Sequence, residues 1–298
     1  MAAPNSPPQT VAAARTRRRP FLESLAHLRR DPTTVVSAAI LVLFILIAIF
    51  APLIAGDPTA LNPIRRLGPP APDAWLGTDQ LGRDVYARAV YGTRVSLIVG
   101  GAVAVLAAIP GVAIGIYASM NRVGGAIVMR LVDALMAIPA VLLAIALAAL
   151  LKPGLPTLII AISIPEIPRM VRLVRSVALS VTAQPYVTAA IAAGSSRSRL
   201  VFRHILPNTL APVIVQATYA AASAIIASAI LSFLGVGTSP EVPSWGGMMA
   251  DARGFFRFNP ELMFYPGLLL SVLLLVTNIL GDRLSDALDP RKVTQKMP

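Results

Sequence analysis

Few groups in this 298-residue chain could do chemistry. Inside its long apolar runs stand Ser163, Glu166, Ser223, Ser228, Thr277 and Asn278. Hydroxyls in such places serve a hydrolase only when a base faces them. These six form no pattern of that kind, so helix-to-helix hydrogen bonding or cavity lining is the expectation. Glu166 is the ionisable member, flanked by Pro165 and Pro168, with Arg169 and Arg172 about one turn further along. That spacing favours an ion pair over a proton relay, which would need ionisable residues deep in several spans. Glu166 and Asn278 are candidate cavity or ion-pair positions.

Other catalytic apparatus is missing from the sequence. No G-x-x-x-x-G-K-[ST] phosphate loop, H-E-x-x-H motif or serine elbow occurs. There is no cysteine, and the two histidines, His27 and His204, are far apart. Thiol chemistry, disulfides and histidine-rich metal sites are excluded.

The elements that must carry these residues are membrane spans. The chain is 56% hydrophobic and 13% charged, with a mean hydropathy of +0.72. Soluble domains are about a quarter charged. Apolar runs of about 20 residues, enough to cross a bilayer as helices, predict an all-α membrane protein with six transmembrane helices. They fall at Val35–Ile54, Val95–Ser119, Leu131–Leu151, Thr157–Val174, Leu210–Leu234 and Leu262–Leu280. The implied divisions are a cytoplasmic segment 1–31, a first span with an outer segment 32–94, a core 95–283 and a cytoplasmic tail 284–298.

The charge of +12 follows the positive-inside pattern. With both termini in the cytoplasm, 18 of 26 Lys and Arg fall inside, and eight outer ones are offset by seven acids. The basic pI therefore points to membrane lipid rather than nucleic acid. Thr16–Glu23, TRRRPFLE, is loosely like a twin-arginine export signal. The apolar run behind it is longer than the 7–15 residues or so of a signal, and no clean cleavage site follows.

Two outer stretches invite structure. From Gln80 to Tyr91 the apolar spacing predicts a short amphipathic helix lying on the outer face, capped by Thr78 or Asp79. Between spans five and six, Trp245, Phe255, Phe256 and Phe258 are candidate interface anchors. On the cytoplasmic side, YVTAAIAAGSSRSRLVFRHILPN (Tyr186–Asn208) is a basic insert between apolar runs. Pro185 suits a first helical turn, Gly194 a left-handed exit, and Ser195 or Ser196 the cap of a second helix ending near Leu206. Its small residues fit a groove on another protein. Equally, its arginines suit a plain loop meeting anionic lipid.

The pattern A-A-x-x-x-G with a proline thirteen residues on, here Ala189, Ala190, Gly194 and Pro207, resembles the coupling loop of permease subunits in binding-protein-dependent ABC importers. The outer stretch GTDQLGRD, with Gly77, Thr78, Asp79, Gly82, Arg83 and Asp84, is similar to the signature of the C-type permease of dipeptide and oligopeptide importers. The resemblance runs from about Phe21 to Pro290. It implies a type I ABC importer permease fold whose cytoplasmic coupling helix, within 185–207, docks into an ATPase subunit, with Tyr186, Ser195 and Arg199 alongside the motif residues. It implies a B-type permease partner, two ATPase subunits holding ATP and Mg, an extracytoplasmic solute-binding protein and an inner-membrane location. No cofactor or catalytic site is expected in this chain. The cargo implied is a peptide; relatives also handle glutathione, nickel complexes or haem. One position departs: Thr188 stands where the family's loop usually opens with glutamate. Outside the resemblance, an ion-gradient transporter or a membrane scaffold is the competing reading.

Overall fold

The computed structural model describes residues 31–150, 152–239 and 241–288. The basic leader with TRRRPFLE and the extreme tail lie outside the described residues. Helix α1, Pro32–Ile54, begins on a proline whose missing N–H costs nothing at a helix start. Its exposed face carries Val35, Leu43, Leu46, Ile49 and Leu53, and its buried face Ser37, Phe44, Ala48 and Ala51.

Helix α2, Val85–Met120, is 36 residues long, roughly 54 Å at 1.5 Å per residue. The amphipathic outer helix expected at Gln80–Tyr91 therefore does not exist separately. Its second half is the first turns of α2, and the N-cap is Asp84, whose carboxylate accepts from Tyr86 N at 2.9 Å, in place of Thr78 or Asp79. A surface helix would have needed a break before the span. Nothing between Val85 and Val95 supplies one.

The expected third span is also corrected. Helices α3, Arg122–Ala137, and α4, Ala140–Leu150, meet at an angle of 89°. Pro139 is the cause: it drives Ile138 into extended backbone, φ −87° and ψ 128°. Helix α5, Leu155–Thr182, holds Pro165 and Pro168 and is less apolar than α1 and α2 because Glu166, Arg169, Arg172 and Arg175 lie on it. Four helices among the described residues are long and apolar enough to cross a membrane, five if the bent pair counts as one span.

After α5 come α6, Pro185–Ala192, and α7, Arg197–Leu200. The second helix of this unit does not stop near Leu206 as expected. It passes through one π turn, Val201–Ile205, into α8, Leu206–Phe233. Pro207 has no N–H for the ordinary ladder, and Leu206 N reaches five residues back to the Val201 carbonyl. Ser244 caps α9, Trp245–Ala252, and α10 runs Glu261–Leu288. Arg283 on α10 pairs with Asp31 at the start of α1 at 3.2 Å, so these two helix ends are neighbours.

Three buried clusters are strung along α2. Val85 and Ala89 join Phe44, Trp245 and Leu273; Val95, Val99 and Val103 join Leu158, Ala224 and Leu231; Ile116 joins Met170, Val174 and Val213. The last contact depends on G-V-A-I-G, Gly111 to Gly115. A Cβ on Gly115 would lie 2.7 Å from the Val174 Cβ, and one on Gly111 would strike the Met170 side chain. Small residues four apart let α2 and α5 approach closely, which is how helices associate where no hydrophobic drive exists. Gly111→Ala is expected to destabilise the bundle by about 1–3 kcal/mol, read as a lower unfolding temperature in detergent.

Candidate functional site

The outer motif is a folded clasp. Gly77 and Gly82 have positive φ, +76° and +74°, and side chains there would collide with the carbonyl oxygens of Gly68 and Asn62. Thr78 Oγ1 donates to the Arg65 carbonyl and accepts from Gly68 N at 2.9 Å. Asp79 accepts from Leu81 N at 2.8 Å, Arg83 N at 3.0 Å and Arg83 Nε at 2.6 Å. Arg83 also reaches Asp251 of α9 at 2.9 Å. Arg88 stands 3.6 Å from Asp79 and 3.9 Å from Asp251. Two acids and two arginines thus balance at the junction of the outer loop, α2 and α9, with Asp79, Arg83 and Arg88 buried.

Electrostatics around the clasp follow burial. Burial pushes the Asp84 carboxyl above its ordinary value, opposed by the N–H groups of Tyr86 and Ala87. On the exposed rim, Arg65 holds the Asp73 carboxyl below its ordinary value.

Trp245 belongs to the clasp and is not the interface anchor that the sequence suggested. It is 1% exposed, donates from Nε1 to the Ala89 carbonyl at 2.9 Å, and packs against Gly92, where a side chain would touch its ring. Phe256 and Phe258 are exposed, as an anchor must be. Sequence reasoning missed Arg88, Asp251 and Trp245 as partners of the motif. The i,i+4 spacing of Asp79 and Arg83 was the local signal available; Asp251 lies 168 positions from Arg83.

The intramembrane polar residues divide in two. Ser163, Ser228, Thr277 and Asn278 each donate to a carbonyl of their own helix, at 2.7–3.0 Å. They do not join helices. Glu166 does: its Oε1 accepts from Arg169 Nη1 at 2.6 Å and from Ser223 Oγ on α8 at 3.0 Å. Arg172, the other expected partner, instead pairs with Asp133 of α3 at 2.7 Å. Ser223 is the hydroxyl that faces a carboxylate, and the oxygen it meets, Glu166 Oε1, is already held by Arg169.

The basic insert is built much as its sequence suggests. Pro185 opens α6. Gly194, at φ +78°, ends it with Gly194 N bonded to Ile191 O at 2.9 Å and Ser195 N to Ala190 O at 3.0 Å, a left-handed cap only glycine adopts freely. Ser196, rather than Ser195, caps α7 by accepting from Arg199 N. Val187, Leu200 and Ile205 turn inward and are buried. Tyr186 rests against the His204 ring at 5.9 Å. Facing outward are Tyr186, Thr188, Ala189, Ala193, Gly194, Arg199 and Pro207, with Phe202 68% exposed. Ala190 and Ser195 are half-buried.

Residues 111–294 match the family described as binding-protein-dependent transport system inner membrane component. The chain belongs to that family. Residues 20–70 match the N-terminal transmembrane domain of oligopeptide transport permease C. A probable peptide ABC transporter permease of Sinorhizobium fredii is 51% identical over 88% of this chain and 90% of its own length. The dipeptide permease DppC of Alkalihalophilus pseudofirmus is 41% identical over 97% and 95% respectively. The oligopeptide permease OppC of Bacillus subtilis is 37% identical over 90% and 89%. In three dimensions the chain is similar to a chain of the methionine ABC transporter MetNI in inward-facing conformations, with TM-score 0.57 and 20% identity over 68% of this chain and 96% of that one. The fold is that of a type I ABC importer permease.

The clasp can be tested without transport. Arg83→Met, which leaves Asp79 short of its closest charge partner in a buried site, is expected to destabilise the protein by about 3–5 kcal/mol. Asp251→Asn, at a side chain 41% exposed, is expected to cost about 1 kcal/mol or less. Thermal unfolding of both variants in detergent measures the difference.

Proposed function

We propose that this chain is one of two permease subunits of an ATP-driven importer that carries dipeptides or oligopeptides through the cytoplasmic membrane. The reading rests on one observation above the others: relatives matched over nine-tenths of the chain are named as peptide, dipeptide and oligopeptide permeases. The chain crosses the membrane six times, α3 and α4 forming one broken crossing and α5 another, with both termini in the cytoplasm. A B-type permease completes the pathway, two ATPase subunits bind ATP and Mg below, and a solute-binding protein delivers cargo above.

In this mechanism the α6–α7 unit, residues 185–207, is where the ATPase grips. Its outward face presents the small residues Ala189, Ala193 and Gly194 to a groove with Tyr186 beside them, and Arg199 supplies charge where Thr188 replaces the usual glutamate. Because α7 runs without a gap into α8, and α6 follows closely on α5, a push on the unit is delivered to two helices of the core. Coupling requires the unit to make different contacts in the two states of the ATPase. Hydrolysis itself belongs to the partners.

Gly194 separates docking from folding. A Cβ there meets nothing within 4 Å, so Gly194→Glu strains the cap by about 1–2 kcal/mol without a clash. The variant is expected to insert and assemble, yet to lose peptide uptake by at least about tenfold while ATP hydrolysis becomes independent of substrate. Proteoliposomes holding the complete complex give both readings, and normal uptake would sink the docking assignment. An ion-gradient transporter would instead work in such vesicles without any ATPase.

A further inference from the structure

Two ion pairs lie on one face of α5: Glu166 with Arg169, and Arg172 with Asp133 of α3. Arg169, Arg172 and Asp133 are exposed in this chain, beside an apolar stretch that is exposed too, from Ala134 at the end of α3 to Pro139 in the bend. Charged side chains at bilayer depth face protein or a water-filled cavity, never bare hydrocarbon for long. This face is therefore covered by a neighbouring subunit or by water.

At Glu166 the face opens into a cavity of about 170 Å³, room for several waters at about 30 Å³ each. Ala144, Ile162, Ala227 and Ile230 form its apolar wall, and Glu166, Arg169 and Ser223 its polar one. One acceptor on the polar wall lacks a donor. Both hydrogen bonds to Glu166 fall on Oε1, so Oε2 accepts none among the described residues. Pro165 itself lines the cavity beside Glu166 and brings no N–H to that wall. A buried carboxylate with a spare oxygen on a cavity wall fits a compact group carrying several N–H donors and a positive charge. An ammonium has that chemistry.

We propose that Glu166 receives the free α-ammonium of a peptide in transit, Oε2 accepting its N–H groups, while Arg169 is the exchangeable counter-ion. Ser223 holds the carboxylate in place. Arg169, half exposed, pairs with Glu166 when the cavity is empty and turns to the peptide's carboxylate end when it is full. The site rests on the peptide-importer reading and deepens it, since it names the group of the cargo that this subunit recognises.

The complete complex in proteoliposomes, supplied with binding protein saturated by a dipeptide, tests it. Glu166→Gln keeps the shape and the Ser223 contact but removes the charge, and should lower uptake at least about tenfold. The Glu166→Gln, Arg169→Gln double variant discriminates further. If the pair were only structural, removing both charges together would restore uptake to within about twofold of wild type, and that result overturns the subsite; continued loss supports it. A second measurement does not depend on either variant folding. The chain has no cysteine, so Ala227→Cys places one thiol of this subunit on the cavity wall. A transported dipeptide should slow its alkylation by a small water-soluble maleimide several-fold. A complex that takes up dipeptide with Ala227→Cys unprotected overturns the subsite alone, whereas a wild-type complex that takes up no peptide sinks the peptide reading itself.

Discussion

Helices in a bilayer gain little from leaving lipid for one another, because lipid tails are as apolar as leucine. Everything in this bundle depends on how closely its helices can approach despite that. Helix α2 solves the problem with small residues: Gly111 and Gly115 admit Met170 and Val174 of α5, Gly100 admits Ile225 of α8, and Gly92 admits the ring of Trp245. Each contact replaces a side chain by direct backbone approach, which raises dispersion contact where no hydrophobic term is available. The long α2 thereby becomes the element on which the three buried clusters and the outer clasp are assembled.

The same solvent disciplines the polar groups. Ser163, Thr277 and Asn278 bond to their own helix, which costs no partner and no register, while Ser223 reaches across to Glu166. Charges are moved to the clasp at the start of α2, where Asp79, Arg83, Arg88 and Asp251 cancel, or to the contact between α5 and the bent pair of α3 and α4. A buried cluster of this sort adds less net stability than its short distances suggest, because each ion has been taken out of water. What it does do is tie the loop before α2 to α9, since Arg83 and Arg88 each stand within 4 Å of both Asp79 and Asp251.

Proline and glycine set the points where the bundle departs from straight rods. Pro139 bends the crossing, Pro165 and Pro168 strip donors from α5 beside Glu166, Pro207 forces the π turn, and Gly194 turns the chain between α6 and α7. These irregularities lie where the proposed pathway and the proposed coupling unit are. Unpaired backbone at membrane depth is tolerated only where protein or water meets it, so an interrupted helix is itself a sign of a cavity.

Much of this could be read locally. Hydropathy placed α1 and α8 within a few residues and found α2 and α10 while missing the first ten residues of one and the last eight of the other; the cap chemistry of Pro185, Gly194 and Ser195 or Ser196 drew the basic helix-turn-helix unit, and the two motifs gave the family. Those features depend on neighbours within about a turn, where residue type decides conformation. Other features hang on residues far apart: Arg83 finding Asp251, Trp245 passing from presumed anchor to buried core, Ser223 reaching Glu166, and Arg172 choosing Asp133 over Glu166. Only packing decides these, because a charge or ring in a bilayer takes whichever partner the helix approach brings within reach, and that approach is set by small residues on α2 that no local pattern ties to their partners.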